Sequence, residues 1–335
     1  MAVERSRSAL AVTVALLPID PASYQPHFIH GPERVWGETN CYIDLWVEVL
    51  HALGLDPVPA AVAALSADFN GHQWVFLKYH LEDLRTLYGL EVNEANMWRP
   101  IPDHIEEHLQ TGQLLTVEMD SWWLPDTAGT SYRTEHVKTS VVPQMIDRAG
   151  KRMGYFHGAG YYELSGEDFD AVLRLGEHAS PTALPPYVEL VQLDHLQRDP
   201  ERLLAATVEL AHQHLERRPA TNPVERLGAA VISSLPRLTE EGIGTFHLYA
   251  FATLRQCGAT AELAADLLTW LTDRGAAELK DAAAQLHSVA EAAKSAQFGM
   301  ARAARGRSVD LATPLGAMAS AWQQAHAELT AWHDG

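Results

Sequence analysis

Cys41 is the residue of this chain best placed for covalent chemistry, because it stands where a helix is predicted to begin. Asn40 or Thr39 can serve as the N-cap, since a short polar side chain accepts a hydrogen bond from an unpaired backbone N–H. Gly54 supplies a left-handed stop after the helix. The free N–H groups and the dipole of a first turn stabilise a thiolate, the nucleophilic form of cysteine. The alternative is that Cys41 is a small buried apolar residue.

A nucleophilic cysteine needs a base, and the base needs a partner that orients it. Among the 17 histidines, His136 is the best candidate by position, because it is predicted to open a strand after a long loop. His157 ends the predicted return strand of the same hairpin, so the two imidazoles are expected near one another. Asp120 follows the preceding predicted strand. The alternative is that both histidines are exposed at strand ends without a chemical role.

The elements that would position these residues follow an α+β pattern rather than a series of βαβ units. Helices come first, and strands in hairpin order follow. Ser165 is predicted to cap the next helix, with Asp168 completing a capping box. Residues 73–78 are also predicted to form a strand. Beyond a Pro-containing boundary at 180–186, Ala- and Leu-rich segments with helical spacing predict a bundle of four to six helices, among them helices over 200–216 and 238–256.

The composition narrows the function classes. The chain has 335 residues, of which 47% are hydrophobic and 20% are charged, which is typical of a globular protein with an ample core. The formal net charge of -18 argues against a nucleic-acid partner, because phosphates are bound by clustered Lys and Arg. No stretch reaches the roughly 20 apolar residues of a membrane span. We therefore predict a soluble, cytoplasmic protein that contacts no membrane.

Metal and cofactor signals are weak in this sequence, so we predict neither. The two cysteines are far apart and form neither a disulfide framework nor a zinc set. His104 and His108 are four residues apart and could bind zinc, but the glutamate of zinc proteases and a third ligand are missing. Asp44, one turn beyond the cysteine, is predicted to be a solvated helix residue. The apolar residues 8–17 lack a signal-peptide cleavage site and are predicted to form a first strand or lead-in.

The order of these features resembles a known family. The chain has a cysteine at a helix start, then an acid after a strand, then a histidine opening an apolar strand, and finally the hairpin and helix of residues 161–169. Together these features resemble the DUF1839 family. The likeness covers residues 40–176 well and extends to the whole chain. The first part also resembles, more weakly, papain-like C39 peptidases and BtrH-type acyltransferases. This resemblance implies a papain-like α+β domain over residues 1–182 and a helical domain over 183–335, with Cys41 as nucleophile and His136 as general base.

Two positions depart from the papain-like pattern. The peptidases carry an Asp or Asn after the strand that follows the histidine, whereas this chain has His157 there. Either His157 or Asp120 would then be the third member of the triad. The glutamine that completes the oxyanion hole is also missing, which leaves the backbone N–H of Cys41 and the side chain of Asn40 as donors. Trp122 would wall the substrate pocket.

The resemblance implies acyl transfer through a Cys41 thioester. The donor would be an acyl or aminoacyl carrier protein bearing phosphopantetheine, and the acceptor a small-molecule amine. Two alternatives remain, namely thioester hydrolysis that edits misacylated carriers, and a binding or scaffold protein with an inactive site. Because carrier proteins and this chain are both acidic, docking needs a local basic patch. The favoured patch lies near the end of a C-terminal helix and consists of Arg302, Arg305 and Arg307. The other candidate patch lies at the hairpin turn and consists of Arg148, Lys151 and Arg152.

Overall fold

The computed structural model describes residues 13–180 and 182–335, and contacts divide the chain into two compact units. The sheet unit consists of the residues up to Pro26 together with Leu90–Leu196, and the helical unit consists of His27–Gly89 together with Gln197–Gly335. The prediction divides the chain once, near residue 182, into two continuous domains. The contacts instead group the Cys41 helix with the C-terminal helices.

Hydrogen bonds explain this grouping. The backbone N–H groups of Val35 and Trp36 donate to the carboxylate of Glu262. The indole N–H of Trp36 donates to the carbonyl oxygen of Ala290 at 3.0 Å. Because the two bonds of Trp36 are buried, the segment before Cys41 is fixed to the C-terminal helices.

The sheet unit is built on an antiparallel sheet. Its strands are β1 (Val14–Ala15), β2 (Glu91–Glu94), β3 (Leu114–Asp120), β4 (Lys138–Asp147), β5 (Arg152–His157), β6 (Gly160–Ser165) and β7 (Val188–Gln192). The strand order is β2-β7-β3-β4-β5-β6, and β1 pairs with the second half of β4. Every pairing among these strands is antiparallel. The prediction of strands in hairpin order is confirmed, and the first strand's residues 8–12 lie outside the described part of the chain.

The sequence of β4 explains how this strand pairs with β3 along its first half and with β5 along its second half. Its first residues pair with β3 and its last residues pair with β5. Pro143 lacks an N–H and lies at the bulge where the register shifts. Beyond the bulge, the side chain of Gln144 accepts a hydrogen bond from the N–H of Leu17 and donates to the hydroxyl of Tyr161. The irregularity therefore fastens the N-terminal segment to the sheet.

Two short helices accompany the strands, namely α3 (Ile101–Gln110) and α4 (Glu167–Val172). The prediction that Ser165 caps α4 is wrong. Ser165 ends β6, and Gly166 with φ +64° precedes the helix. The carboxylate of Asp168 instead accepts hydrogen bonds from Tyr132 and Arg133.

The helical unit contains helices from both ends of the chain. They are α1 (Cys41–Ala52), α2 (Leu81–Tyr88), α5 (Pro200–Glu216), α6 (Pro223–Glu241), α7 (Ile243–Ala250), α8 (Gln256–Asp273), α9 (Lys280–Ala303) and α10 (Ala312–Asp334). A 3₁₀ segment, Val58–Ser66, packs against α5 and α8. The prediction of a helical C-terminal region is confirmed. No helix among the described residues has the length and apolar character needed to cross a membrane.

Two predicted elements of the helical unit differ from the structure. Residues 73–78 form no strand, because the N–H of Trp74 donates to Ala252 and the N–H of Val75 donates to Asp68 instead of to a neighbouring strand. The single helix expected over 238–256 is divided, because Gly242 with φ +88° ends α6 at Glu241. A π-helical turn, Phe251–Arg255, then joins α7 to α8.

Candidate functional site

Cys41 is the first residue of α1 and is partly exposed, whereas the nine residues that follow it, Tyr42–Leu50, are buried. Asn40 is the N-cap, and its side-chain oxygen accepts hydrogen bonds from the N–H groups of Tyr42 and Ile43 at 3.1 and 3.0 Å. The predicted capping is therefore confirmed. Cys41 lies at the positive end of the helix dipole, which favours a negatively charged sulfur.

The side-chain amide of Asn40 is also held on its other side. Its Nδ2 donates to the carbonyl oxygen of Leu77 at 3.1 Å and to the side chain of Gln256 at 3.3 Å. Gln256 in turn donates to the carbonyl oxygen of Thr39. Both amide hydrogens of Asn40 thus take part in buried structural bonds, and donation to an oxyanion would require the exchange of one of them.

His136 and Asp120, two of the predicted site residues, are in direct contact in the sheet unit. Nδ1 of His136 donates to Oδ2 of Asp120 at 2.6 Å. The imidazole lies flat against the indole of Trp122, with ring centroids 4.5 Å apart and planes 11° apart. The same carboxylate accepts a hydrogen bond from the N–H of Trp122 at 3.1 Å. The structure thus brings three of the predicted residues together.

The end of the β3–β4 ladder produces this arrangement. Asp120 is the last residue of β3 and pairs with Lys138, the first residue of β4. The N–H of Ser121 still donates to the carbonyl oxygen of Val137. His136 therefore precedes β4 by two residues rather than opening it, and the loop presents its side chain to solvent, with 67% exposed. An exposed imidazole oriented by a carboxylate is suited to exchange protons with a bound molecule.

His157 belongs to a different hydrogen-bonded group. Its Nδ1 donates to Oδ2 of Asp126 at 2.5 Å, and its Nε2 lies 2.8 Å from the hydroxyl of Thr139. The hydroxyl of Tyr155 donates to the other oxygen of Asp126. Burial raises the pKa of Tyr155, and the charge of Asp126 raises it further. Because both ring nitrogens of His157 are occupied, Asp120 is the group that orients His136 in this structure.

Trp123, rather than Trp122, lines a cavity beside the His136 pair. The cavity has a volume of about 230 Å³, and Asp120, Arg174 and His178 are among the residues that line it. The rings of Trp123 and His178 meet edge to face, with centroids 5.0 Å apart. Asp120 thus faces the cavity and contacts His136 as well. The adjacent tryptophans could be found from the sequence, but which of them lines a cavity could not.

Asp44 is buried, so the prediction of a solvated residue is wrong. Its two carboxylate oxygens accept hydrogen bonds from the N–H of Thr39 at 2.9 and 3.1 Å. Burial raises the pKa of Asp44, while the nearby imidazole of His30 opposes that rise. Glu48, one turn further along α1, also contacts His30. Sequence reasoning missed this pair of acids, although the spacing of four residues places both on one helix face.

His104 and His108 do not form a zinc site in the structure. Nε2 of His104 accepts hydrogen bonds from the N–H groups of Trp98 and Arg99 at 3.3 and 3.2 Å. Nδ1 of His108 lies 2.9 Å from the side-chain oxygen of Gln113. The lone pair that a metal would need from His104 is therefore committed to the backbone.

Comparison with known protein families agrees with the predicted resemblance to the DUF1839 family. A family model described as the DUF1839 N-terminal domain matches residues 25–193. A second model, described as the DUF1839 C-terminal domain, matches residues 200–331. No curated protein matches the chain.

Proposed function

The chain belongs to the DUF1839 family, and we propose that it is a cysteine-dependent acyltransferase with a divergent papain-like fold. Its donor is an acyl or aminoacyl group on the phosphopantetheine of a carrier protein, and its acceptor is a small-molecule amine. Cys41 is the nucleophile and His136 is the general base. Asp120 orients His136, and Trp122 holds the imidazole from its face.

The observation that carries this proposal is the exposed pair of His136 and Asp120. A histidine with a structural role usually has both ring nitrogens occupied, as His157 does. Among the described residues, His136 makes its side-chain hydrogen bond through Nδ1 alone, which keeps Nε2 for a proton transfer. Because Asp120 cannot donate when ionised, the bond fixes the tautomer of a neutral His136 with its lone pair on Nε2. This is the tautomer that a general base needs.

The reaction divides into two balanced steps. In the first, His136 takes the proton of the Cys41 thiol, and the sulfur attacks the carbonyl carbon of the donor thioester. The carbon–sulfur bond to the pantetheine breaks, and that thiol leaves with the proton from His136. In the second, His136 accepts a proton from the amine as its nitrogen attacks the Cys41 thioester. An amide bond forms, and the thiolate of Cys41 is regenerated.

The cavity lined by Trp123 is the proposed binding site for the amine. Its volume of about 230 Å³ suits a small molecule rather than a drug-sized ligand, which usually needs roughly 300–1,000 Å³. The carboxylate of Asp120 on its wall would attract a protonated amine, and the same residue contacts His136. The guanidinium of Arg174 would favour an acceptor that also carries a carboxylate.

Intact-protein mass spectrometry after mixing with an acylated carrier protein tests the proposal. The chain should gain the mass of the acyl group, and addition of an amine should release it as an amide. Cys41→Ala should abolish the gain. Cys257→Ala is the matched control, because Cys257 is fully buried and burial raises the pKa of its thiol, so this variant should still be acylated.

The same experiment separates the alternatives. Release of the free acid at equal rates with and without amine would identify a thioester hydrolase. Absence of acylation in the wild-type chain, with Cys41 reacting with iodoacetamide no faster than a model thiol, would leave a binding protein. A Cys41→Ala variant that still turns the donor over would remove Cys41 from the mechanism.

A further inference from the structure

Three potential metal ligands converge in the helical unit, and none of them is assigned a role in acyl transfer. His80 is the N-cap of α2, Asp83 lies in its first turn, and His214 lies in the last turn of α5. One ligand atom from each residue lies within 4.8 Å of the other two. Oδ2 of Asp83 is 2.8 Å from Nε2 of His214 and 3.9 Å from Nδ1 of His80. Ligand atoms in a tetrahedral zinc site are about 3.3 Å apart, given zinc bonds of roughly 2.0–2.1 Å.

The environment of His214 favours a cation at this point. Its side chain is fully buried, and its Nδ1 lies 2.9 Å from Oγ of Ser66. Oγ of Ser66 also lies 3.1 Å from the carbonyl oxygen of Ala63. Because that carbonyl takes the hydroxyl hydrogen, Ser66 acts as the acceptor, and Nδ1 of His214 is the donor.

This arrangement is one that either a second proton on His214 or a metal ion would satisfy. With its proton on Nδ1, a neutral His214 directs the lone pair of Nε2 at an oxygen of Asp83 2.8 Å away. Two lone pairs at this distance repel. A cation bound by both atoms removes the repulsion, and the hydrogen bond from Nδ1 to Ser66 is the outer contact that orients metal-binding histidines.

An open cavity gives access to the site. Its volume is about 460 Å³, and His80 and Asp83 are part of its wall together with Glu209, Gln213 and Arg217. The side chain of His80 is 49% exposed, so a metal ion could enter from this side without displacement of the buried His214. Water from the cavity could complete the coordination.

We propose that His80, Asp83 and His214 bind a divalent transition metal ion, with Zn²⁺ as the best match to two imidazoles and one carboxylate. The ion would connect α2 to α5 within the helical unit. This proposal does not depend on acyl transfer, since no residue of the site takes part in that reaction.

Titration of the untagged full-length chain with Zn²⁺ and Co²⁺, after treatment with a chelator, tests the site. Calorimetry should give one equivalent of Zn²⁺ per chain, and Co²⁺ should produce a visible absorption band that Zn²⁺ abolishes. His80→Ala should weaken binding by about 100-fold or more, since loss of an outer contact alone costs about 10–100-fold. His80 makes no side-chain capping bond, so its replacement should leave α2 folded.

Two further variants make the result specific. His72→Ala is the matched control, because His72 is exposed and lies outside the cluster, and it should bind the metal as the wild type does. Ser66→Ala should weaken binding by about tenfold through the orientation of His214. The proposal is overturned if the wild-type chain binds neither ion, or if His80→Ala and His72→Ala bind with equal affinity.

Discussion

Nδ1 of His30 lies 2.5 Å from Oε1 of Glu48, and Nε2 of the same imidazole lies 3.5 Å from Oδ1 of Asp44. Burial by itself lowers the pKa of His30, but the close carboxylates of Asp44 and Glu48 outweigh burial and raise the pKa to about 9. The first two turns of the Cys41 helix therefore carry two buried acids that hold a charged histidine. The helix that positions the proposed nucleophile depends on this ion cluster.

We predict that the stability of the protein falls as the pH rises from about 6.5 to 9. The folded pKa of His30 lies above the unfolded value of 6.5, so its contribution is fully present below pH 6.5 and is lost as the pH passes through 9. The loss amounts to roughly 3 kcal/mol, at 1.36 kcal/mol per pKa unit. Urea unfolding at intervals across this range measures it.

His30→Gln is the variant that tests this assignment. It should flatten the dependence of unfolding free energy on pH between 6.5 and 9.

His27 should have the opposite effect, at lower pH. Burial lowers the pKa of this neighbouring histidine to about 4. Stability from that group is therefore present above pH 6.5 and is lost as the pH falls towards 4. A loss of stability above pH 6.5 that persists unchanged in His30→Gln would show that another group is responsible.

The contact between Asp120 and His136 yields a kinetic prediction. Asp120→Asn should lower kcat/KM for acyl transfer, and His136→Ala should lower it by about 10²–10⁴, the usual contribution of a general base. Asparagine is isosteric, but its amide can turn an N–H towards Nδ1 and favour the wrong tautomer. Glu163→Gln is the control and should leave kcat/KM unchanged, because Glu163 pairs with Arg152 in the same sheet and is not among the residues that line the cavity. Equal rates for Asp120→Asn and wild type would exclude an orienting role.

Packing around Gly258 in α8 leads to a stability prediction. A Cβ at this position would lie 2.5 to 2.8 Å from three atoms of the Trp36 indole. The indole cannot move freely, because it donates to Ala290 and Lys294 lies over its face. Gly258→Ala should therefore destabilise the protein by about 1–3 kcal/mol, despite the better helix propensity of alanine.

Gly316 in α10 provides the matched control in thermal or urea unfolding. A Cβ there would meet no atom within 4 Å, so Gly316→Ala should stabilise the protein by up to about 1 kcal/mol. If both variants shift stability in the same direction, the close approach of Gly258 to Trp36 is not what decides the outcome.

The two candidate docking patches differ in their ion pairs. At the hairpin turn, Arg148, Lys151 and Arg152 each pair with an acidic side chain. Arg302 and Arg305 are exposed at the end of α9, and neither forms an ion pair among the described residues. Their charges therefore remain to attract an acidic partner.

We accordingly expect Arg302→Glu with Arg305→Glu to raise the KM for the carrier protein by about tenfold at low salt, and the difference should shrink as salt is added. Alkylation of Cys41 should be unchanged. Reversal of Arg148 and Arg152 serves as the control and should have little effect. If the control alone raises KM, the carrier docks at the hairpin instead.

Local sequence determined the elements that carry the chemistry. Asn40, Cys41 and Gly54 were sufficient to predict α1 with its cap and stop, and confirmed bounds such as Pro200–Glu216 followed from a proline start and helical spacing. The hairpin of β4 and β5 followed from two apolar runs with a polar turn. The residues that specify each of these elements belong to the element or adjoin it in the sequence, so no tertiary information was needed to predict them.

The tertiary structure decided which side chains met. Asp120 and His136 come together only because β3 ends at the rung of the sheet where β4 begins. Asp126 contacts His157 from a 3₁₀ turn 31 residues earlier in the chain. Asp83 and His214 are separated by 131 residues. Partners at such separations are selected by packing and register, for which a single sequence carries no local signal. The burial of Asp44 was missed for the same reason, because its partner His30 lies in a single 3₁₀ turn, Phe28–His30, which is too short to show a periodic pattern in the sequence.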